Sequence, residues 1–154
     1  MRDFSNDHSA LALNTATLGH NIDGHGAGWS PERVIDACAE RGYGGIVFWR
    51  REIGSRAAEI GERVRAAGMQ VVGLCRTPYL TGRDAGSDDE VRASIDMAAG
   101  LGAPVLTIVT GGTQPDSKGI LDSQKRLADR VARIAGYAAG QGVSLALEPL
   151  NPMF

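Results

Sequence analysis

"IAGYAAGQGVSLALE", residues 134–148, is the stretch whose reading decides the fold. Ile134 and Ala138 stand one helical turn apart on one face, extending Leu127 and Val131. Gly142 sits where a helix ends on a left-handed residue. Ser144 to Leu147 then read as a buried strand that delivers Glu148, and Pro149 breaks the run at once. Helix, glycine, short junction and apolar strand form one unit.

The same unit occurs three more times, as "VIDACAERGYGGIVFW" (34–49), "IGERVRAAGMQVVGLC" (60–75) and "IDMAAGLGAPVLTIV" (95–109). Gly42, Gly68 and Gly102 take the place of Gly142. The strands Ile46 to Phe48, Val71 to Leu74 and Val105 to Val109 are apolar at nearly every position, as in a parallel sheet covered by helices on both faces. "LALNTATL" (11–18) reads as a first strand with no helix before it. Ser30-Pro31 caps and opens one helix, and Ser87 with Glu90 forms a capping box at another, in which Val91, Ile95 and Ala98 share a face. The pattern predicts five strands and four helices in strict alternation, an α/β fold with right-handed crossovers.

Composition narrows the function classes. The chain has 154 residues, 43% hydrophobic and 22% charged, with 21 glycines and a formal net charge of −2. One domain over residues 1–154 accounts for that length. The charge gives no footprint for nucleic acid, and no apolar run is long enough for a membrane span. The first residues lack the apolar stretch of a signal peptide, so a cytoplasmic protein is expected. Cys38 and Cys75 have no metal-ligand spacing and are expected to pack as small apolar side chains. His8 falls in an N-terminus expected to lack order.

Long loops follow the strands at 19–29, 77–86 and 111–119, while the helix-to-strand junctions are short. Chemistry in α/β folds sits on the loops after strands, so the working face should carry His20, His25, Trp49, Arg50, Arg51, Arg76, Gly111, Gly112 and Glu148. "GHGAGW" (24–29) lacks the spacing and tight turn of a dinucleotide loop. "TGGT" (110–113) offers backbone N–H groups to an anion without the Lys-Ser/Thr of a P-loop.

Periodicity leaves two architectures open: a small doubly wound sheet, or the first five units of an eight-stranded barrel. A doubly wound sheet is expected to cover its last strand with a helix, whereas only "PLNPMF" (149–154) follows strand five. "LALEPLNPMF" (145–154), after a helix ending "AAGQGV", resembles the fifth strand of the sugar phosphate isomerase/epimerase family, the xylose isomerase-like TIM barrels. "LALNTATL", "GGIVFWR", "VVGLCR" and "VLTIVTGG" resemble its first four strands in order. The resemblance covers essentially the whole chain, and E-P-L-N is its specific part.

The resemblance implies a partial TIM-type barrel, about five of eight β/α units, truncated after strand five. It implies that Glu148 is a ligand for a divalent metal (Mn²⁺, Mg²⁺ or Co²⁺) and one of two acid/base carboxylates. The family's remaining ligands come from strands six to eight, so this chain alone would not complete the coordination. The implied substrate is a sugar or sugar phosphate. A lyase acting on an oxidised sugar, a non-catalytic half-barrel and an abasic-site endonuclease are the alternatives, the last disfavoured by charge.

The ordinary reading of Glu148 is a strand-end carboxylate paired with arginine. Trp49 and Arg50, ending strand two, offer an aromatic wall and a cationic donor for a sugar, or else a rim tryptophan and a solvated arginine. Arg76, directly after strand three, has the same two readings. His20 is placed to reach a substrate hydroxyl, and Asn151 to bind substrate, orient Glu148 or simply make a turn before Pro152. A five-stranded piece of a barrel also exposes two strand edges, so association into a homo-oligomer through them is expected.

Overall fold

In the computed structural model, which describes residues 3–21 and 26–149, every paired strand runs parallel to its neighbour. The strands are β1 (Ala12–Asn14), β2 (Gly45–Trp49), β3 (Gln70–Cys75), β4 (Tyr79–Thr81), β5 (Val105–Gly111) and β6 (Ser144–Glu148). The α-helices are α1 (Pro31–Glu40), α2 (Arg50–Ile53), α3 (Ala57–Ala66), α4 (Asp88–Leu101) and α5 (Ile120–Gly140).

Strand order resolves the choice of architecture. β1 pairs with β2, β2 with β3, β3 with β5, and β5 with β6. Each β/α unit therefore lies beside the one before it. A doubly wound sheet instead reverses direction and leaves an early strand in its interior. The order here is that of a barrel wall, and the described residues form part of one.

Local chemistry explains the helix ends. Ser30 Oγ accepts from the Arg33 N–H at 3.3 Å ahead of Pro31. Ser87 Oγ accepts from the Glu90 N–H at 3.2 Å, and the Glu90 carboxylate accepts from the Ser87 N–H at 2.7 Å, closing the expected box. Gly42, Gly68, Gly102 and Gly142 all have φ between 69° and 79°, the left-handed turn that a side chain resists.

The helices cover one face of the sheet. Ile46, Phe48, Val71, Leu74, Leu106 and Ile108 meet Ile35, Ile60, Val64, Val91, Ile95, Ala98, Leu101 and Ile134 in a single core. Each large side chain there contributes about 1.5–3 kcal/mol by leaving water. The second face is covered unevenly: Val109 is fully buried, but Val72 is 43% exposed, beside a bulge where Ile46 and Val47 pair with Val71 and Gly73. The expectation of strands buried on both faces therefore fails at Val72.

Four other expectations are corrected. The first strand ends at Asn14 and becomes a 3-10 helix, Thr15–Asn21. Asn14 Oδ1 accepts from the Ala16 N–H at 3.0 Å, and Thr17 Oγ1 donates to the Asn14 carbonyl at 2.8 Å, so polar side chains divert the backbone from the ladder. The 77–86 loop contains the extra strand β4, whose Thr81 Oγ1 donates to the Thr110 carbonyl at 2.8 Å. Arg50–Ile53 adds a short fifth helix to the four expected. β6, expected to be buried, is largely exposed because β5 pairs along one edge and no described residue pairs along the other.

His8 Nδ1 lies 2.8 Å from the Arg41 carbonyl oxygen, and its ring lies against Tyr43. Both cysteines are buried and free, as expected. None of the described helices is long and apolar enough to cross a membrane.

Candidate active-site cleft at the strand ends

The C-terminal ends of β2, β3 and β6 open into a cleft of about 860 Å³. Trp49 reaches it from the end of β2 and Arg50 and Arg51 from α2, Cys75 from β3 with Arg76 directly after it, and Glu148 from β6. Tyr79, Asp84, Gly86 and Glu90 close the side toward β4 and α4. Four of the residues singled out from sequence, Trp49, Arg50, Arg76 and Glu148, thus share one cavity. The His20 backbone belongs to the 3-10 helix after β1, while Asn151 and His25 lie outside the described residues.

Trp49 is fixed from three directions. Its backbone N–H donates to Glu52 Oε2 and to Thr15 Oγ1, each at 3.2 Å, and its indole N–H donates to Asn14 Oδ1 at 3.2 Å. The Thr15 hydroxyl donates to the same Glu52 oxygen. The end of β2 and the start of the 3-10 helix are thereby tied together through one carboxylate.

Arg76 lies over aromatic rings. Its guanidinium carbon is 4.5 Å from the Tyr79 ring centroid and 5.9 Å from that of Trp49, and Nη2 donates to the Tyr79 hydroxyl at 3.4 Å. Arg50 has a buried Nε without a hydrogen-bond partner. Burial lowers its pKa, and the nearby Arg51 and Arg76 charges lower it further, while Glu90 acts in the opposite direction. The Cys75 thiol is pushed up by burial and by the Glu148 carboxylate, with a hydrogen bond to Thr107 and the Arg76 charge opposing.

Tyr79, Asp84 and Glu90 are among the cleft residues that the sequence did not single out. Glu90 carried a signal, but as a helix cap, and it still caps Ser87 in the structure. Gly111, from the "TGGT" stretch, has a packing role: a Cβ there would lie 2.2 Å from the Thr81 carbonyl oxygen.

A divalent metal needs several oxygen or nitrogen ligands at one point. Glu148 is one suitable donor, but the described residues contain no group of three His, Cys, Asp or Glu able to hold an ion. The described chain does not by itself fit a complete metal centre.

With a barrel-type sheet and its cleft at the strand ends, the comparison with known proteins is direct. The chain belongs to the xylose isomerase-like TIM barrel family, whose model matches residues 35–154. Protein SMc04130 from Sinorhizobium meliloti 1021 is 32% identical with a TM-score of 0.76, over 94% of this chain and 52% of its own. D-psicose 3-epimerase, solved in the presence of D-fructose, is 18% identical with a TM-score of 0.67, over 92% of this chain and 52% of its own. IolI protein, solved with a zinc atom, is 17% identical with a TM-score of 0.68, over 88% and 50%. At those identities the last two show the fold alone. The chain spans about half the length of the solved structures it matches. No curated protein matches it by sequence.

Proposed function

We propose that this chain supplies the N-terminal part of the active site of a sugar or sugar-phosphate isomerase or epimerase. One observation carries the reading: Glu148 emerges at a strand end into the same cleft as Trp49, Arg50 and Arg76. Family membership and sugar-epimerase structural neighbours support it.

The chemistry assigned to the chain's own groups is proton transfer beside a carbonyl. Glu148 takes a proton from the carbon next to the carbonyl; returning it to the adjacent carbon completes an isomerisation, whereas an epimerisation needs a second acid from the further units to protonate the same carbon on its opposite face. The Trp49 and Tyr79 rings pack against the C–H face of the sugar, while Arg50 and Arg76 donate to its oxygens. His20 and Asn151 remain candidates for further hydrogen bonds to substrate. In this reading residues 1–154 are one domain of about five β/α units. Glu148 offers one oxygen to an ion such as Mg²⁺, Mn²⁺ or Co²⁺, whose remaining ligands come from further units.

Deuterium uptake tests the proposal. The native gene product is incubated in D₂O with a panel of ketoses and aldoses, and exchange at the carbon beside the carbonyl is followed by NMR. Glu148→Gln should slow exchange by about a hundredfold or more. Equal exchange in wild type and variant would remove Glu148 from the reaction, and the reading with it.

A further inference from the structure

We propose that the Arg50–Arg76 side of the cleft is an oxyanion subsite, so that the substrate is a sugar bearing a carboxylate or phosphate group. The inference deepens the isomerase reading and rests on it for the sugar part of the ligand.

Elsewhere in the molecule many arginines pair with acids, while Arg33, Arg41, Arg65 and Arg83 make no ion pair among the described residues. Arg56 meets Glu32 and Glu59, Arg63 meets Asp36, Arg92 meets Asp89, Arg126 meets Asp116 and Asp122, and Arg130 meets Asp88. Arg50, Arg51 and Arg76 all line the cleft, yet none makes an ion pair among the described residues. The acids that share the cleft are Asp84, Glu90 and Glu148. Glu90 is held by the Ser87 N–H, and Glu148 stands at the end of β6, close enough for its charge to act on Cys75.

Arg50 has two like charges close by, Arg51 and Arg76, which Glu90 offsets in part. Burial and like charge both weigh against the protonated Arg50, whose Nε has no acceptor. Arg76 is held flat by Tyr79 and Trp49, which orients its fork before any ligand arrives. Guanidinium forks match the planar or tetrahedral oxygens of carboxylate and phosphate, and the gain is larger away from bulk water. A neutral polyol offers these forks hydroxyl acceptors but no charge to match.

Calorimetric titration of the native gene product with inorganic phosphate, D-gluconate and D-glucitol tests this. Phosphate or gluconate should bind and the neutral D-glucitol should not, with the preferred anion identifying which group the subsite takes. Arg50→Met and Arg76→Met should each weaken that anion by about tenfold or more. Raising salt from about 50 to 200 mM should weaken it several-fold. Arg65→Met, at the far end of the strands, should leave binding unchanged, and circular dichroism establishes that each variant folds.

No anion binding, equal binding of D-glucitol, or unchanged affinity in both cleft variants would overturn the subsite. Glu148→Gln should retain or strengthen anion binding, because it removes a negative charge from the cleft. Anion binding that depends on Arg50 and Arg76, with no deuterium exchange on any sugar, would sink the isomerase reading and keep this one.

Discussion

Arg130 Nη2 donates to the carbonyl oxygen of Gly86 at 2.6 Å, joining the middle of α5 to the lip of the cleft. The same guanidinium donates through Nη1 to the Leu80 carbonyl and through Nε to Asp88 Oδ1 at 2.9 Å. The Arg130 side chain is only 12% exposed, so these bonds form largely away from solvent. One side chain on the outer layer thus sets the path of the 80–88 segment, which carries Asp84, Gly86 and the cap of α4. Gly86 also has no room for a side chain, since a Cβ would lie 2.4 Å from Pro78 Cβ.

Arg130→Ala should therefore destabilise the protein by about 2–4 kcal/mol in urea denaturation, because two backbone carbonyls and Asp88 lose one charged partner. Arg130→Lys should recover only a small part, since an ammonium cannot span all three acceptors. Full recovery by lysine would show that charge alone matters there.

Gly61 tests the contact between α3 and α4. A Cβ built on it lies 2.3 Å from the Leu101 carbonyl oxygen, backbone against backbone. Gly61→Ala gains helix propensity but must separate the two helices, so a net loss of about 1–3 kcal/mol in stability is expected. Unchanged or raised stability would mean that the pair relaxes without strain.

Acid should weaken the fold through Glu32. The N–H at the start of α1 and then Arg56 hold its carboxyl down to about 2, from 4.5. A carboxyl lowered by folding contributes stability above its unfolded pKa of about 4.3 and loses it as pH falls toward 2. Urea midpoints should drop across that window, and Glu32→Gln should flatten the drop. Equal slopes in both proteins would assign the acid loss to other carboxylates.

The free edge of β6 predicts association of the 154-residue chain by itself. Leu147 is 56% exposed on a strand that, among the described residues, pairs along only one side. Light scattering at about 10–50 µM should show species larger than a monomer, and Leu147→Lys should shift them toward the monomer. A clean monomer for the unmodified chain would refute edge pairing.

Much of this fold was legible because its grammar is local. The glycine that ends a helix, the Ser87–Glu90 box and the apolar positions Val91, Ile95 and Ala98 depend on neighbours within a turn or two. β4 was not legible: three residues carry no periodicity, and Tyr79 and Thr81 become a strand only because Val109 and Gly111 lie beside them. The exposure of β6 was missed for a related reason, as an apolar run states what a strand tolerates and not what covers it.

The sequence by itself determined the repeating β/α unit, the helix caps at Ser30 and Ser87, the glycines that end the helices and the strand-end positions of Trp49, Arg50, Arg76 and Glu148, since each follows from short-range backbone chemistry. Only the tertiary structure decided that the strands run in barrel order, that these four side chains share one cleft with Tyr79 and Glu90, and that Arg130 holds its lip. Those facts arise from contacts between residues dozens of positions apart, which packing of the core creates and no local pattern encodes.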